Sequence, residues 1–322
     1  MREIDWLLSG EVWIRYRTRV DLLDEVIINA EIKNIKQKIS EDNLICEIML
    51  GLNEWSNTIM KNHKDSNHPI HKLAFIADIG MNSNDIGVKD ILDKVYSHQS
   101  KEGVFQVLAN IPVHFGGSGE NAYTWMLCDA PLVLYSIAKM DISRHEEVIT
   151  ATKHLVSLQN SNGWGCTVSN DLGKFRGPGK KSDPCPYANL LMLKLIAALD
   201  TNEFDEAADI GIKAILELWD NRANRKEYLF GIGTDFKKLK APLIWFDILH
   251  VLEVLSKYER IYEDRRFKEM IGILESKCVG DSKLKPESMY RPWKAWEFAN
   301  KKAYSRWITF LAYRILKRTG HL

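Results

Sequence analysis

Apolar side chains recur at three- and four-residue spacing along most of the 322-residue chain, the mark of helices with one buried face. The N-terminal stretch divides into three such segments. Residues 12–23 interleave Arg15, Arg17 and Arg19 with an apolar stripe, residues 30–39 form a second, and in residues 41–52 Leu44, Ile45, Ile48 and Met49 share one face. No strand pattern competes with them.

Farther along, prolines mark a rhythm. Pro69, Pro131, Pro186, Pro242 and Pro292 recur at nearly even intervals. The first four lead into nearly all-apolar segments at 70–77, 132–138, 187–199 and 243–255, and a helix at 303–316 follows the last. Proline suits a first helical turn, where its missing N–H would be unpaired anyway. Amphipathic segments at 149–158, 206–219 and 267–274 fall between, so each repeat reads helix, loop, helix.

A second repeat accompanies the first. Gln99 and Gly103-Val-Phe105 match Gln159 and Gly163-Trp164-Gly165, and the step from one glutamine to the other equals the step between the two glycines. A period of this length, close to the proline interval and holding two helices, predicts stacked helical hairpins. The expected fold is therefore all-α. If the hairpins curve until they close, the result is an α/α toroid of about five to six hairpins, one domain over 1–322 with a helical portion at 1–65 and a repeat ring at 66–322. The nearly all-apolar helices would be the inner set, since a helix contacted on both sides has little polar face.

Composition narrows the partners. Forty-four basic and 43 acidic residues leave a net charge of +1, so no global field draws nucleic acid or an anionic membrane, and anion recognition must be local. A hydrophobic fraction of 45% fills a sizeable core. The start lacks the apolar run of a signal peptide, and no stretch reads as an integral membrane span, so the expectation is a cytoplasmic protein. Five scattered cysteines form no CxxC pair and read as reduced thiols. The chain is rich in Trp (10), Tyr (11) and Phe (11), and several of these fall next to Gly or Pro at segment junctions, compatible with an aromatic-lined cavity or with core filling.

One stretch concentrates chemistry. Residues 174–187 carry Lys174, Arg176, Lys180 and Lys181 around Gly177-Pro178-Gly179, then Asp183, Cys185 and Tyr187 at the mouth of an apolar helix. Permissive backbone and a helix N-terminus suit a diphosphate, and a second cationic loop, Lys237-Lys238-Leu239-Lys240, precedes the next apolar helix. A solvated charged loop is the plainer reading. Asp183 and Cys185 are acceptable zinc ligands; equally, Asp183 before Pro184 is a helix cap and Cys185 a small buried residue. Asp129, inside an apolar segment, is either a general acid or base with a raised pKa or a helix cap. His63, His68 and His71 fit no ligand spacing and read as surface residues, as the arginines at 15, 17 and 19 read as a solvated face.

The Gln-x-x-x-Gly-aromatic repeats resemble the QW motifs of squalene-hopene cyclases, and Phe115-Gly-Gly-Ser-Gly119 with the segment to Pro131 is similar to the glycine-rich turn of protein prenyltransferase β subunits. Arg176, Lys180, Asp183 and Cys185 follow the order of that family's diphosphate and zinc ligands, with one extra residue after the arginine, and Tyr187 sits one position past the family's tyrosine. The resemblance to this terpenoid cyclase and protein prenyltransferase-like superfamily, with its squalene cyclase repeat, implies a transferase or cyclase acting on an apolar isoprenoid diphosphate. Trp125, Tyr135, Trp245 and Phe246 would line its cavity, and Arg176, Lys180 and Lys181, helped by Lys238 or Lys240, would hold the diphosphate. Zinc would sit on Asp183, Cys185 and either Asp247 or His250. Asp247 stands where the family has its third ligand, a histidine, and His250 lies one turn on. The acidic motif of protonating cyclases is absent from the sequence, which disfavours protonation-initiated cyclisation, and family members of the prenyltransferase type need a second subunit. Two other classes remain: a non-catalytic toroid scaffold for a lipid or peptide, and a toroid hydrolase pairing Asp129 with another carboxylate.

Overall fold

The computed structural model describes residues 2–173, 175, 177, 179–224, 230–278 and 282–322. Arg176, expected to bind diphosphate, and Lys174 lie outside the described residues. The protein is mostly helical, with thirteen α-helices among the described residues. In chain order they are α1 (Arg2–Leu8), α2 (Val12–Arg17), α3 (Ala30–Gln37), α4 (Asn43–Leu52), α5 (Pro69–Asp78), α6 (Val88–Tyr96) and α7 (Ala130–Met140). There follow α8 (His145–Ser157), α9 (Pro186–Ile196), α10 (Asp205–Asp220), α11 (Ile248–Leu255), α12 (Arg265–Cys278) and α13 (Arg306–Arg318). None of the helices among the described residues is long and apolar enough to cross a membrane.

The chain divides into two compact units. The first comprises Met1–Ile48, Phe75–Met81 and Gly233–Leu322, and the second Met49–Ala74 and Asn82–Ile232.

In the second unit the proline rhythm becomes packing. Pro131 and Pro186 both stand in the first turn of a helix, α7 and α9, and α9 is buried along its whole length. α7 packs on α8, α9 on α10, and α7 on α9, so two successive hairpins stack through their apolar members. α8 and α10 keep a polar face, as their amphipathic pattern predicts.

The Gln/Gly repeat closes two tight turns. Gln99 pairs with Phe105 and Asn160 with Gly163 in isolated antiparallel bridges, and Gly103 and Gly163 both take positive φ, 85° and 118°, which a side chain would strain. The glutamines then diverge. Gln99 Nε2 donates to Gly103 O within its own turn at 2.9 Å, whereas Gln159 Nε2 reaches Ala207 O in α10 at 2.8 Å. Only the second fastens its turn to a helix.

In the first unit α11 packs on α12 and α13. Glu253 of α11 is buried, and its Oε1 meets Arg314 Nη2 at 2.9 Å and Arg318 Nη1 at 3.0 Å, while Arg314 Nη1 reaches Asp21 Oδ2 at 3.0 Å. Burial pushes the Glu253 carboxyl up, but Arg314 and Arg318 more than offset it and hold the group well below the usual range. Trp13, Phe75, Trp296 and Trp307 fill the core edge to face, with Trp13 and Trp307 centroids 4.9 Å apart. These aromatics are core.

Several expectations change. The helix expected over 243–255 begins at Ile248, because the Asp247 carboxylate accepts the His250 N–H at 3.1 Å and caps the chain there. Residues 12–23 are not one α-helix: α2 gives way to a π-helical turn at Thr18–Leu22. Arg17 and Arg19 are not simply solvated, since they pair with Asp21 at 2.6 Å and Glu25 at 3.1 Å. The second unit also holds a short antiparallel pair, β1 (Val107–Ala109) and β2 (Ala122–Thr124), with Leu108 opposite Tyr123.

Candidate functional site

The site grows from β1. Met60 lies alongside that strand, its N–H donating to Leu108 O at 2.7 Å and its carbonyl accepting from Asn110 at 3.3 Å. Met60 is buried, so in an extended segment its neighbours Ile59 and Lys61 point the other way. They line a cavity of about 870 Å³ in the second unit. The loop joining β1 to β2 supplies Ile111, Pro112 and Phe115, and Phe175 and Gly177 close the far wall. Phe115 is 61% exposed, which places the mouth at the surface. The glycine-rich turn makes the wall possible: a Cβ on Gly117 would stand 2.1 Å from Ile111 O. The lining is mainly apolar, with Lys61 as a cation.

Behind Gly177 lies sulfur. Its N–H donates to Cys166 Sγ at 2.9 Å. Cys128 stands just before α7 and Cys185 caps α9, and the packing of α7 on α9 brings the starts of the two helices together. The Cys128 proton shared with Cys185 and burial both hold the Cys128 thiol up. The same proton holds the Cys185 thiol down, aided by the N–H groups of Ala188 and Tyr187, which face the sulfur although no cap bond of normal geometry forms.

Asp129 occupies the cap position of α7, as one of its two expected roles requires. Its carboxylate, however, turns back to accept the Met126 N–H through Oδ1 at 2.8 Å, and Oδ2 has no hydrogen-bond partner among the described residues. The residue is 1% exposed, and that burial pushes its pKa up to about 7.

The expectation that Asp183 caps the next helix is corrected. Cys185 N–H is held by Trp164 O at 2.7 Å, so the chain turns helical only after Cys185, with Pro186 and not Pro184 in the first turn. Asp183 is buried and Tyr187 fully so, while Lys180 and Lys181 are exposed. Trp125 and Tyr135 are core side chains and not among those lining the cavity: Trp125 meets His154 edge to face, and buried Lys194 lies 4.5 Å over the Tyr135 ring.

The remaining expected residues belong to the first unit. Asp247 is fully buried, and burial raises its pKa to about 7 against the pull of Lys240, whose Nζ lies 3.9 Å from Oδ2. Lys240 also sits over the Tyr290 ring at 5.2 Å, and Lys238 pairs with Asp235 at 3.1 Å. His250 Nδ1 faces Trp245 O at 3.0 Å, and Phe246 packs on Phe236. Lys240 therefore answers a carboxylate of its own unit. Among the described residues no group of three or more His, Cys, Asp and Glu side chains is arranged to hold a metal ion.

His63, His68 and His71 are not surface residues. The turn 61–68 folds back on the start of α5, so that His71 Nε2 meets His63 O at 3.0 Å and His68 Nδ1 accepts the Ile70 N–H at 3.3 Å. Burial lowers their pKa values to about 4, about 4 and about 3.

Ile59, Lys61, Ile111 and Phe175 line the cavity, and sequence reasoning did not single them out. The glycine-rich turn at Phe115 was the available signal, for it marks where backbone must approach closely. Compared with known proteins, the chain matches no family model and no curated protein.

Proposed function

We propose that this chain is a prenyltransferase or terpene cyclase-like enzyme that takes an apolar isoprenoid diphosphate into the cavity of the second unit. The observation that carries the reading is the cavity itself: about 870 Å³, walled by Ile59, Ile111, Phe115 and Phe175, with one cationic edge. Sites for small organic ligands run from roughly 300 to 1,000 Å³ and are mostly apolar with a few placed polar groups. Lys61 stands at the cavity and Lys180 and Lys181 are exposed on the loop that continues its far wall, so an anionic head and an apolar tail would find matching partners. The α7–α8 and α9–α10 hairpins, in this reading, are successive members of an α/α toroid.

Titration with farnesyl diphosphate, geranylgeranyl diphosphate and farnesol tests it. Saturable binding of the diphosphates is expected at roughly micromolar Kd. Lys61→Ala should weaken the diphosphates alone by about tenfold, equal to ~1.4 kcal/mol, and Phe175→Ala should weaken all three. Absence of binding overturns the reading, and equal affinity for farnesol leaves the non-catalytic lipid-binding scaffold in its place.

Asp129 favours a second reading, a toroid hydrolase. A buried carboxyl with a pKa of about 7 and one oxygen without a hydrogen-bond partner among the described residues can hold a proton near neutrality and release it. Loss of a hydrolytic activity in Asp129→Asn, with diphosphate binding absent in the parent, would select it.

A further inference from the structure

Of the arginines that run along α2 into the π-helical turn, Arg17 pairs with Asp21, and Arg19 is held from two sides. Arg19 Nη1 meets Glu25 Oε2 at 3.1 Å, and Nη2 meets Glu31 Oε1 at 2.7 Å. Arg15 forms no ion pair among the described residues, and its Nε is buried without a hydrogen-bond partner there. Nearly all buried donors in folded proteins are paired, so an unpaired guanidinium N–H marks a place for water or an ion.

Arg15 lines a cavity of about 240 Å³ in the first unit, between α2 and α3, which pack together. Arg19 lies four residues on, and therefore on the same face. From α3 and its end come Asn34, Ile35 and Lys38, which also share a face, and Leu8 closes the wall from the end of α1. Arg15, Arg19 and Lys38 outnumber Glu31, the one carboxylate of the lining, and Arg19 already answers Glu31. Lys38 is exposed and, like Arg15, forms no ion pair among the described residues.

We propose that this cavity binds a small phosphate monoester through the Arg15 guanidinium, the Lys38 ammonium and the Asn34 amide. A guanidinium presents a planar fork of N–H groups that meets two phosphate oxygens at once, and a lysine adds a point charge. Donors from two helices thus approach from two sides, an arrangement that suits a tetrahedral anion better than a flat carboxylate. Leu8 and Ile35 offer an apolar wall to the carbon stem. The volume falls below the roughly 300 to 1,000 Å³ of ordinary ligand sites, so the cavity takes a short ester and not an isoprenoid chain. Glu31 sets the affinity, because its carboxylate repels the anion and holds Arg19 away from it. The site belongs to the first unit and stands whatever fills the cavity of the second.

Calorimetric titration of the full chain with inorganic phosphate and with glycerol 3-phosphate tests it. Both should bind saturably, with Kd below about 1 mM. Arg15→Gln breaks no ion pair of the fold and should weaken binding by about tenfold, with Arg15→Lys recovering only part because it restores the charge without the fork. Lys33→Gln removes an equal charge from α3 outside the cavity and should change nothing. Glu31→Gln should tighten binding by roughly threefold, a gain that a misfolded variant cannot imitate. Four results overturn the proposal: no binding by the parent chain, equal losses in Arg15→Gln and Lys33→Gln, binding lost in Lys61→Ala but kept in Arg15→Gln, or succinate binding more tightly than glycerol 3-phosphate.

Discussion

Trp164 and Asn189 exchange hydrogen bonds across 25 residues of chain: Trp164 N donates to Asn189 Oδ1 at 3.1 Å, and Asn189 Nδ2 donates to Trp164 O at 2.9 Å. Asn189 Nδ2 also reaches Cys185 O at 2.8 Å, so a single buried amide joins the repeat turn to the first turn of α9. Asn189→Ala leaves the buried Trp164 N–H without its acceptor, while Trp164 O keeps the Cys185 N–H and Cys185 O keeps the Asn189 N–H. An unsatisfied buried group costs about 1 to 3 kcal/mol, and a loss of that size in urea unfolding is expected.

The Trp164 ring lies on Gly211 of α10. A Cβ there would stand 2.7 Å from Trp164 Cζ3, whereas one on Gly272 of α12 meets nothing within 4 Å. Glycine to alanine in a helix ordinarily stabilises by about 0.5 to 1 kcal/mol. Gly272→Ala should show that gain, and Gly211→Ala should instead destabilise by ~1 to 3 kcal/mol through overpacking. Thermal melts of the two variants side by side make the comparison.

Glu253 and Arg314 form a buried pair, and removing the Glu253 charge leaves the buried Arg314 guanidinium to Asp21. Because that second carboxylate remains, Glu253→Gln should cost no more than about 3 kcal/mol, the lower end for breaking a buried pair. Denaturant midpoints measure it, with the exposed pair Lys89 and Asp93 as a control whose removal should leave the midpoint unchanged.

Acid should act through two opposed sets of groups. Burial lowers the pKa values of His63, His68 and His71 to about 4, about 4 and about 3 from 6.5. Between roughly 4 and 6.5 the unfolded chain binds protons that the folded chain does not, so the histidines make stability fall as pH drops. Burial raises Asp129, Asp247 and Glu297 to about 7, so the folded chain holds the extra protons and their contribution is lost as pH rises through that window. The wild-type profile should be nearly flat from about 4.5 to 6.5. Asp129→Asn should make stability fall with acid and His71→Gln should make it rise, each by about 1.4 kcal/mol per pH unit. Unfolding free energies across that range check both slopes.

How far the sequence could be read depends on the range of the contact involved. Proline in the first turn and an apolar run are local facts, and α5, α7 and α9 lie where these put them. The Gln and Gly positions revealed the two turns, but only packing on α10 distinguishes Gln159 from Gln99. α6 carries Val88, Ile91, Leu92 and Val95 on one face, a pattern that a count of prolines passes over. The strands are too short for alternation to register. The cavity wall depends on Met60 lying beside β1, which is distant in the chain, and the meeting of the helix starts at Cys128 and Cys185 on α7 packing against α9. Neither leaves a spacing in the sequence.

Photo-crosslinking locates the bound diphosphate on the chain itself. A photoreactive analogue of farnesyl diphosphate, activated on the full chain, should label peptides carrying residues 59–61, 110–121 and 175–177, and farnesyl diphosphate should compete the label away. Label on peptides of the first unit, or label that farnesyl diphosphate leaves unchanged, would contradict the proposed site.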